Sequence, residues 1–308
     1  MRIVSLLPST TEIVYALGLG DELVGVTHEC DWPPAARAVP AVTRSVVDLS
    51  AASSHAIHRL VEGSVQAGSS LYALDEEALA AARPDLILTQ ELCRVCAVGY
   101  REVNEVARRL DGEVSVVSIE PTSIEGILNA ISTVGAMTEA EDAAIDLVEE
   151  LRERLRAVEE VVIARREAGH TPPRVVAIEW LDPPFAVGHW VPEQVRRAGG
   201  WELLGREGEK AVATTWDAVR EVDPEMVLLM PCGYHLPNTV AEWDRTQRPD
   251  WWEELEAVRR GQVYALDGSS YFSRPGPRVV DGIEALAEIF DPESFDGIAP
   301  PASWLRLV

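Results

Sequence analysis

The sequence predicts an α/β fold of two similar lobes, each with a parallel-sheet core, joined by one long helix. Three observations carry this prediction. Short apolar runs alternate with segments of helical periodicity, the pattern of strand–helix–strand units. One stretch, Thr138–Ala168, holds neither Gly nor Pro and repeats apolar residues at helical spacing. After it the opening pattern restarts, so that Arg174-Val175-Val176-Ala177-Ile178 echoes Arg2-Ile3-Val4-Ser5-Leu6. This is a long-period likeness of two lobes, with boundaries at 1–137 and 170–308 around a linking helix at 138–169, and not a solenoid repeat.

In order, Arg2–Leu7 reads as a strand and Pro8–Glu12 as a turn into a helix, with Ser9 or Thr10 as the cap and Glu12 in the first turn. Gly18 and Gly20 end that helix. Leu23–Thr27 is a second strand, followed by the irregular loop His28–Pro34 with its two prolines. Ala51–Glu62 reads as helix, Gly63–Ser70 as a turn and Asp75–Ala82 as helix. Pro84-Asp85 introduces a strand ending at Thr89. Arg101–Leu110 is an amphipathic helix, Val114–Ile119 a strand, and Pro121–Ser123 opens a helix ending near Gly135. In the long helix the apolar stripe is Ile145, Val148, Leu151, Leu155, Val158 and Val162. The second lobe continues with a helix at Thr214–Val222, a strand at Met226–Met230, a helix at Trp251–Arg260 and a strand at Val263–Leu266. A loop at Gly268–Pro275 and a closing helix at Gly276–Phe290 complete it.

The chain of 308 residues carries a net charge of −24 and a single lysine, Lys210. Such a balance excludes a phosphate backbone or an anionic membrane surface as partner, since both need a basic face. No run reaches the roughly 18 apolar residues of a membrane span. The N-terminus enters a strand at once, without the apolar core and cleavage site of a secretory leader. The expectation is therefore a cytoplasmic protein as written, periplasmic or extracellular only with a leader already removed.

Four cysteines are present, and each follows a strand-like run: Cys30 after Leu23–Thr27, Cys93 and Cys96 after Leu86–Thr89, Cys232 after Met226–Met230. In open α/β sheets, ligands bind outside the carboxyl ends of strands. The Cys93-x-x-Cys96 spacing suits two ligands of one metal ion or a redox pair. One expectation is a shared four-cysteine site for zinc or an iron–sulfur cluster, made of Cys30, Cys93, Cys96 and Cys232. The others are a Cys93–Cys96 redox pair and four small buried residues without chemistry. There is no Gly-x-Ser-x-Gly, no P-loop and no dinucleotide fingerprint, because Gly18-Leu19-Gly20 ends a helix rather than opening one.

Arg2–Glu12, Leu17–Val26, Arg83–Leu88 and the long helix together resemble the substrate-binding proteins of ABC importers for vitamin B12 and iron chelates. The resemblance spans nearly the whole chain and implies two lobes with a ligand cleft between them. It also implies cobalamin or a metal chelate as ligand and an ABC importer as partner of an exported protein. Carried over by position, the ligand-binding candidates are Ser9, Thr10, Glu29, Trp32, Glu91, Trp180, Tyr234, Tyr271 and Arg274. Flat aromatic rings suit a large planar or apolar ligand, and Arg274 a carboxylate or phosphate. Each also has a plain reading: lobe packing for an aromatic ring, a solvated loop for Glu29 and Glu91, a salt bridge for Arg274. The expected function is non-catalytic binding of a small molecule. The rival is a metalloprotein or enzyme built on the same fold around its cysteines, and fold alone does not choose between them.

Overall fold

The computed structural model describes residues 1–47, 52–67, 71–90, 100–110 and 112–308. The chain divides into two compact units. Unit 1 comprises Met1–Ala52, Ala56–Pro121 and Gly126–Val148; unit 2 comprises Ser53–His55, Thr122–Glu125 and Glu149–Val308.

Unit 1 is built on strands β1 (Ile3–Ser5), β2 (Leu23–Val26), β3 (Thr43–Ser45), β4 (Tyr72–Leu74), β5 (Leu86–Thr89) and β6 (Ser115–Ser118). Four of them form a parallel sheet in the order β2-β1-β5-β6, while β3 and β4 pair as an antiparallel ribbon. Its helices are α1 (Pro8–Ala16), α2 (Ser54–Ala67), α3 (Glu76–Ala82), α4 (Tyr100–Ala107) and α5 (Ile124–Met137), of which α2 and α5 begin on residues of unit 2. Val4, Leu6 and Ile87 from the sheet pack with Leu79 and Ala82 of α3 and Val103, Val106 and Ala107 of α4. A sheet covered by helices reads as apolar runs, which is why these strands were legible in the sequence.

Three local readings are corrected here. Pro8 takes the first helical position of α1, with Leu7 as an extended cap lacking a side-chain bond. Proline's fixed φ suits that position, so the helix starts early and Ser9 and Thr10 lie inside its first turn rather than capping it. Glu12 falls beyond the first turn and is buried, at 4% exposure. Helix α2 runs through Gly63 to Ala67, because the apolar spacing Ile57, Leu60, Val61 carries on across a glycine that a helix tolerates at about 1 kcal/mol.

The long helix α6 spans Glu141–Glu167, about 40 Å, and contributes residues to both units. Glu139, in a left-handed conformation at φ 57°, separates it from α5. Gly135 lets α5 approach α6, since a Cβ there would stand 2.4 Å from that of Ala144. The buried stripe is Ala144, Val148, Leu151, Leu155 and Val158; Ile145, expected in it, is 54% exposed, one residue round the helix from Ala144.

Unit 2 carries β7 (Arg174–Leu181), β8 (Pro184–Ala186), β9 (Trp201–Glu202), β10 (Val212–Ala213), β11 (Met226–Leu229), β12 (Val263–Leu266) and β13 (Trp304–Arg306). Their sheet runs β10-β8-β7-β11-β12-β13, with β9 beside the start of β7. Its centre, β7-β11-β12, is parallel; β8, β10 and β13 pair antiparallel. The helices are α7 (Val191–Arg197), α8 (Trp216–Val222), α9 (Leu236–Arg245), α10 (Glu256–Arg259), α11 (Gly268–Tyr271) and α12 (Val279–Phe290). Val176, Ile178, Val227 and Leu229 pack against a tryptophan cluster in which Trp216, Trp243 and Trp252 stand 5.0 to 6.0 Å apart.

The expected helix Trp251–Arg260 is split. Leu255 is extended at φ −60° and ψ 141°, leaving a 3-10 turn before it and α10 after it. The expected loop Gly268–Pro275 opens with α11, whose cap is Asp267 accepting from the Ser270 N–H at 2.8 Å. No helix among the described residues is long and apolar enough to cross a membrane.

Candidate functional site

In unit 1 the β1 end is followed directly by α1, and its hydroxyls are joined inward. Ser5 Oγ lies 2.7 Å from Thr10 Oγ1 and 2.8 Å from Thr11 Oγ1, and all three hydroxyls stand within hydrogen-bond reach of the Leu7 carbonyl. Thr11 Oγ1 also meets Cys30 Sγ at 3.0 Å. Ser9, Thr10 and Cys30 are all buried. After β2, Thr43 Oγ1 donates to Thr27 Oγ1 at 3.0 Å and holds His28, whose N–H and Nδ1 are 3.1 and 2.8 Å away. Burial lowers the His28 pKa against the opposing pull of Glu29, 3.4 Å from Nε2. Glu29 and Trp32 are exposed. Glu91, Cys93 and Cys96 lie outside the described residues.

In unit 2 the ends of β7, β11 and β12 bring a different set together. Trp180, one residue before the end of β7, meets Tyr234 edge-on with ring centroids 5.6 Å apart. Tyr234 and His235 stand in the loop between β11 and α9. His235 Nδ1 lies 3.1 and 3.2 Å from the two Asp267 oxygens, at the end of β12, and 3.4 Å from Ser270 Oγ. Two close approaches fix this geometry. Ser269 N–H donates to the Tyr234 carbonyl at 2.9 Å, and a Cβ on Gly268 would stand 2.3 Å from the Pro231 carbonyl oxygen. Thr239 Oγ1 ties α9 to the Leu266 carbonyl at 3.0 Å.

The electrostatics follow from these contacts. Burial raises the Asp267 carboxyl, but the His235 bond and the Ser270 N–H outweigh it, so its pKa sits below the ordinary value. An ionised Asp267 accepts only, so His235 Nδ1 carries a proton directed at it. Burial, reinforced by the Glu242 carboxylate, pushes the Tyr234 phenol up to about 12, so Tyr234 stays a neutral hydroxyl. The result is an aromatic corner beside an oriented histidine.

Of the remaining candidates, Cys232 is exposed in the same loop as Tyr234, its N–H bonded to the Glu179 carbonyl at 2.9 Å. Arg274 is buried, and Tyr271 has the Arg278 guanidinium 5.6 Å from its ring centre. Cys30 belongs to unit 1 and Cys232 to unit 2, and no group of three or more His, Cys, Asp or Glu able to hold a metal occurs among the described residues. Asp267 was missed in the sequence. Its only signal is position, since it directly follows a strand run and stands 32 positions from His235.

The Peripla_BP_2 profile, described as Periplasmic binding protein, matches residues 3–269. The chain belongs to the periplasmic binding protein family. Among curated relatives of this family it is 26% identical over 301 residues to an uncharacterized ABC transporter substrate-binding lipoprotein, YvrC, of Bacillus subtilis, covering 96% of this chain and 81% of the relative. It is 24% identical over 295 residues to the vitamin B12-binding protein of Vibrio cholerae, covering 92% and 87%. A periplasmic haem-binding protein of Pseudomonas aeruginosa shares the periplasmic binding protein fold at a TM-score of 0.70, with 22% identity and coverage of 95% and 93%. The Vibrio cholerae vitamin B12-binding protein BtuF does so at 0.68, with 22% identity and coverage of 94% and 96%. Two lobes, parallel-sheet cores and a long linking helix, as read from the sequence, are the architecture of this family.

Proposed function

We propose that this chain is the substrate-binding component of an ABC importer for a large metal complex of the cobalamin, haem or iron-chelate class. The observation that carries this reading is the Trp180–Tyr234 corner, set beside His235 and Asp267 at the carboxyl ends of three adjacent strands. Aromatic walls with a few placed polar groups are the usual lining of a small-molecule site. The relatives named for vitamin B12 and haem support the same class. Glu29 and Trp32, exposed past the end of β2, are further proposed contacts, as is Arg274.

Titration with cyanocobalamin, haemin and ferrichrome, followed by absorbance and calorimetry, tests this. One of the three is expected to bind at one per chain, and Trp180→Ala to weaken it by about 30-fold, the usual scale of losing a central aromatic contact at about 2 kcal/mol. Failure of all three to bind, or an unchanged affinity in the variant, would sink the reading.

A further inference from the structure

The aromatic corner has a support that no ligand needs to touch. Ser54, the first residue of α2, is gripped within unit 2 at both its backbone groups. Its N–H donates to Glu242 Oε1 at 2.6 Å, and its carbonyl accepts from the Trp180 indole Nε1 at 3.2 Å. Glu242 is 2% exposed, and its other oxygen is paired with Arg245 at 2.9 Å. One residue on, His55 Nδ1 lies 3.4 Å from Asp182. A buried carboxylate at the first N–H of a helix is a strong anchor, since the charge meets both a hydrogen-bond donor and the positive end of the helix. The indole of Trp180 has a single N–H. With that donor tied to Ser54 and the ring edge held against Tyr234, the plane of the indole is fixed.

We infer that Glu242 is a positioning residue for ligand binding: through the Ser54 backbone it sets the orientation of Trp180, and so the shape of the aromatic corner. The inference rests on the proposed function in taking that corner as the ligand wall. Preorganisation of this kind raises affinity by removing the cost of ordering a side chain on binding.

The test uses full-length protein labelled with 5-fluorotryptophan, in which the Trp180 resonance is identified by its loss in Trp180→Phe. Glu242→Leu removes the acceptor and is expected to move or broaden the Trp180 resonance, leaving tryptophans away from α9 in place. Whichever probe binds, cyanocobalamin, haemin or ferrichrome, should bind about tenfold more weakly. Glu242→Gln keeps an oxygen facing the Ser54 N–H and should restore both readouts, which a merely structural loss would not separate. Ser54→Pro is the second variant, used if Glu242→Leu fails to fold. It deletes the N–H together with the hydroxyl while keeping the carbonyl that meets Trp180, at a helix position where proline is accepted, and should reproduce the Leu result. An unmoved Trp180 resonance in these variants, or an unchanged affinity despite a moved one, overturns the inference. If none of the probes binds the unaltered protein, the proposed function fails, and the Trp180 resonance alone still decides whether Glu242 orients the ring.

Discussion

At the amino end of its sheet, unit 1 joins Arg2 to the corner Arg83-Pro84-Asp85. The Arg2 N–H donates to Asp85 Oδ2 at 2.7 Å, the Asp85 N–H donates back to the Arg2 carbonyl at 2.8 Å, and the guanidinium of Arg2 reaches the Ala82 carbonyl at the end of α3. Unit 2 repeats this with Arg174 and Asp223-Pro224-Glu225. The Arg174 N–H donates to Glu225 Oε2 at 2.9 Å, the Glu225 N–H donates back at 2.8 Å, and the guanidinium reaches the Val222 carbonyl at the end of α8. Arg83 and Asp223 even share a left-handed conformation, at φ 43° and 39°. Among the described residues the carboxyl ends share nothing of the kind. After β1, unit 1 seals its hydroxyls inward; unit 2 presents an aromatic pair and an oriented histidine. A corner that fastens helix to sheet is held to one solution by packing and backbone bonding, whereas strand-end loops are where a ligand can select among many.

Unit 2 departs from this likeness at its amino end in Glu202, and there the largest effect is expected. Glu202 of β9 accepts from the N–H groups of Ala177, Leu204 and Gly205, each at 2.9 Å, yet burial outweighs them and pushes its carboxyl up to about 7, above an ordinary 4.5. A group whose folded-state value is raised favours the folded state at low pH. Its contribution is complete below pH 4.5 and is lost as pH rises through about 7, amounting to roughly 3 kcal/mol. Urea unfolding at steps from pH 4.5 to 7.5 should show the native protein losing about that much stability relative to Glu202→Gln as pH rises. A difference that stays level would refute the assignment.

The corners come next. Asp85→Ala and Glu225→Ala each take the carboxylate acceptor from a backbone N–H and should lower stability by about 1–2 kcal/mol. The two losses should match, and ligand affinity should stay unchanged, in contrast to Trp180→Ala. Unequal losses in denaturant melts would reduce the likeness to geometry alone. The smallest effect belongs to the caps of the paired helices: Asp75 accepts from the Ala78 N–H at 2.9 Å in α3, and Thr215 from the Ala218 N–H at 3.0 Å in α8. Replacing either with Ala should cost about 1 kcal/mol, read as a shift in unfolding midpoint. A large gap between the two would show that one helix leans on its neighbours instead of its cap.

The repeated corner was legible because proline, a carboxylate and an apolar run stand next to one another in sequence. The strands β1, β5, β11 and β12 were legible for the same reason, being buried on both faces. Strands β8, β9 and β10 were not: at two or three residues each, they carry no periodicity. Helix α11 hid behind Asp267-Gly268-Ser269-Ser270, which reads equally as turn or cap. Trp180 and Tyr234 were singled out by position after a strand, and the structure brings them together. Ser9 and Thr10 were singled out by the same rule, and the structure buries them, because the rule locates loops and says nothing of which way a side chain turns. Ser54 and Glu242 left no trace in the sequence, as 188 residues separate them.

The sheet of unit 2 is finished by β13, whose Trp304 pairs with Leu266 and stacks edge-on with Tyr264 at 5.7 Å. From Leu266 to Trp304 the chain runs 38 positions, through α11 and α12. While the protein is being made, β12 therefore leaves the ribosome well before its partner, with one row of backbone donors and acceptors unmatched. An open edge of that kind invites pairing with a neighbouring chain. The strand that brings Asp267 to the site thus keeps one edge open until β13 has been made.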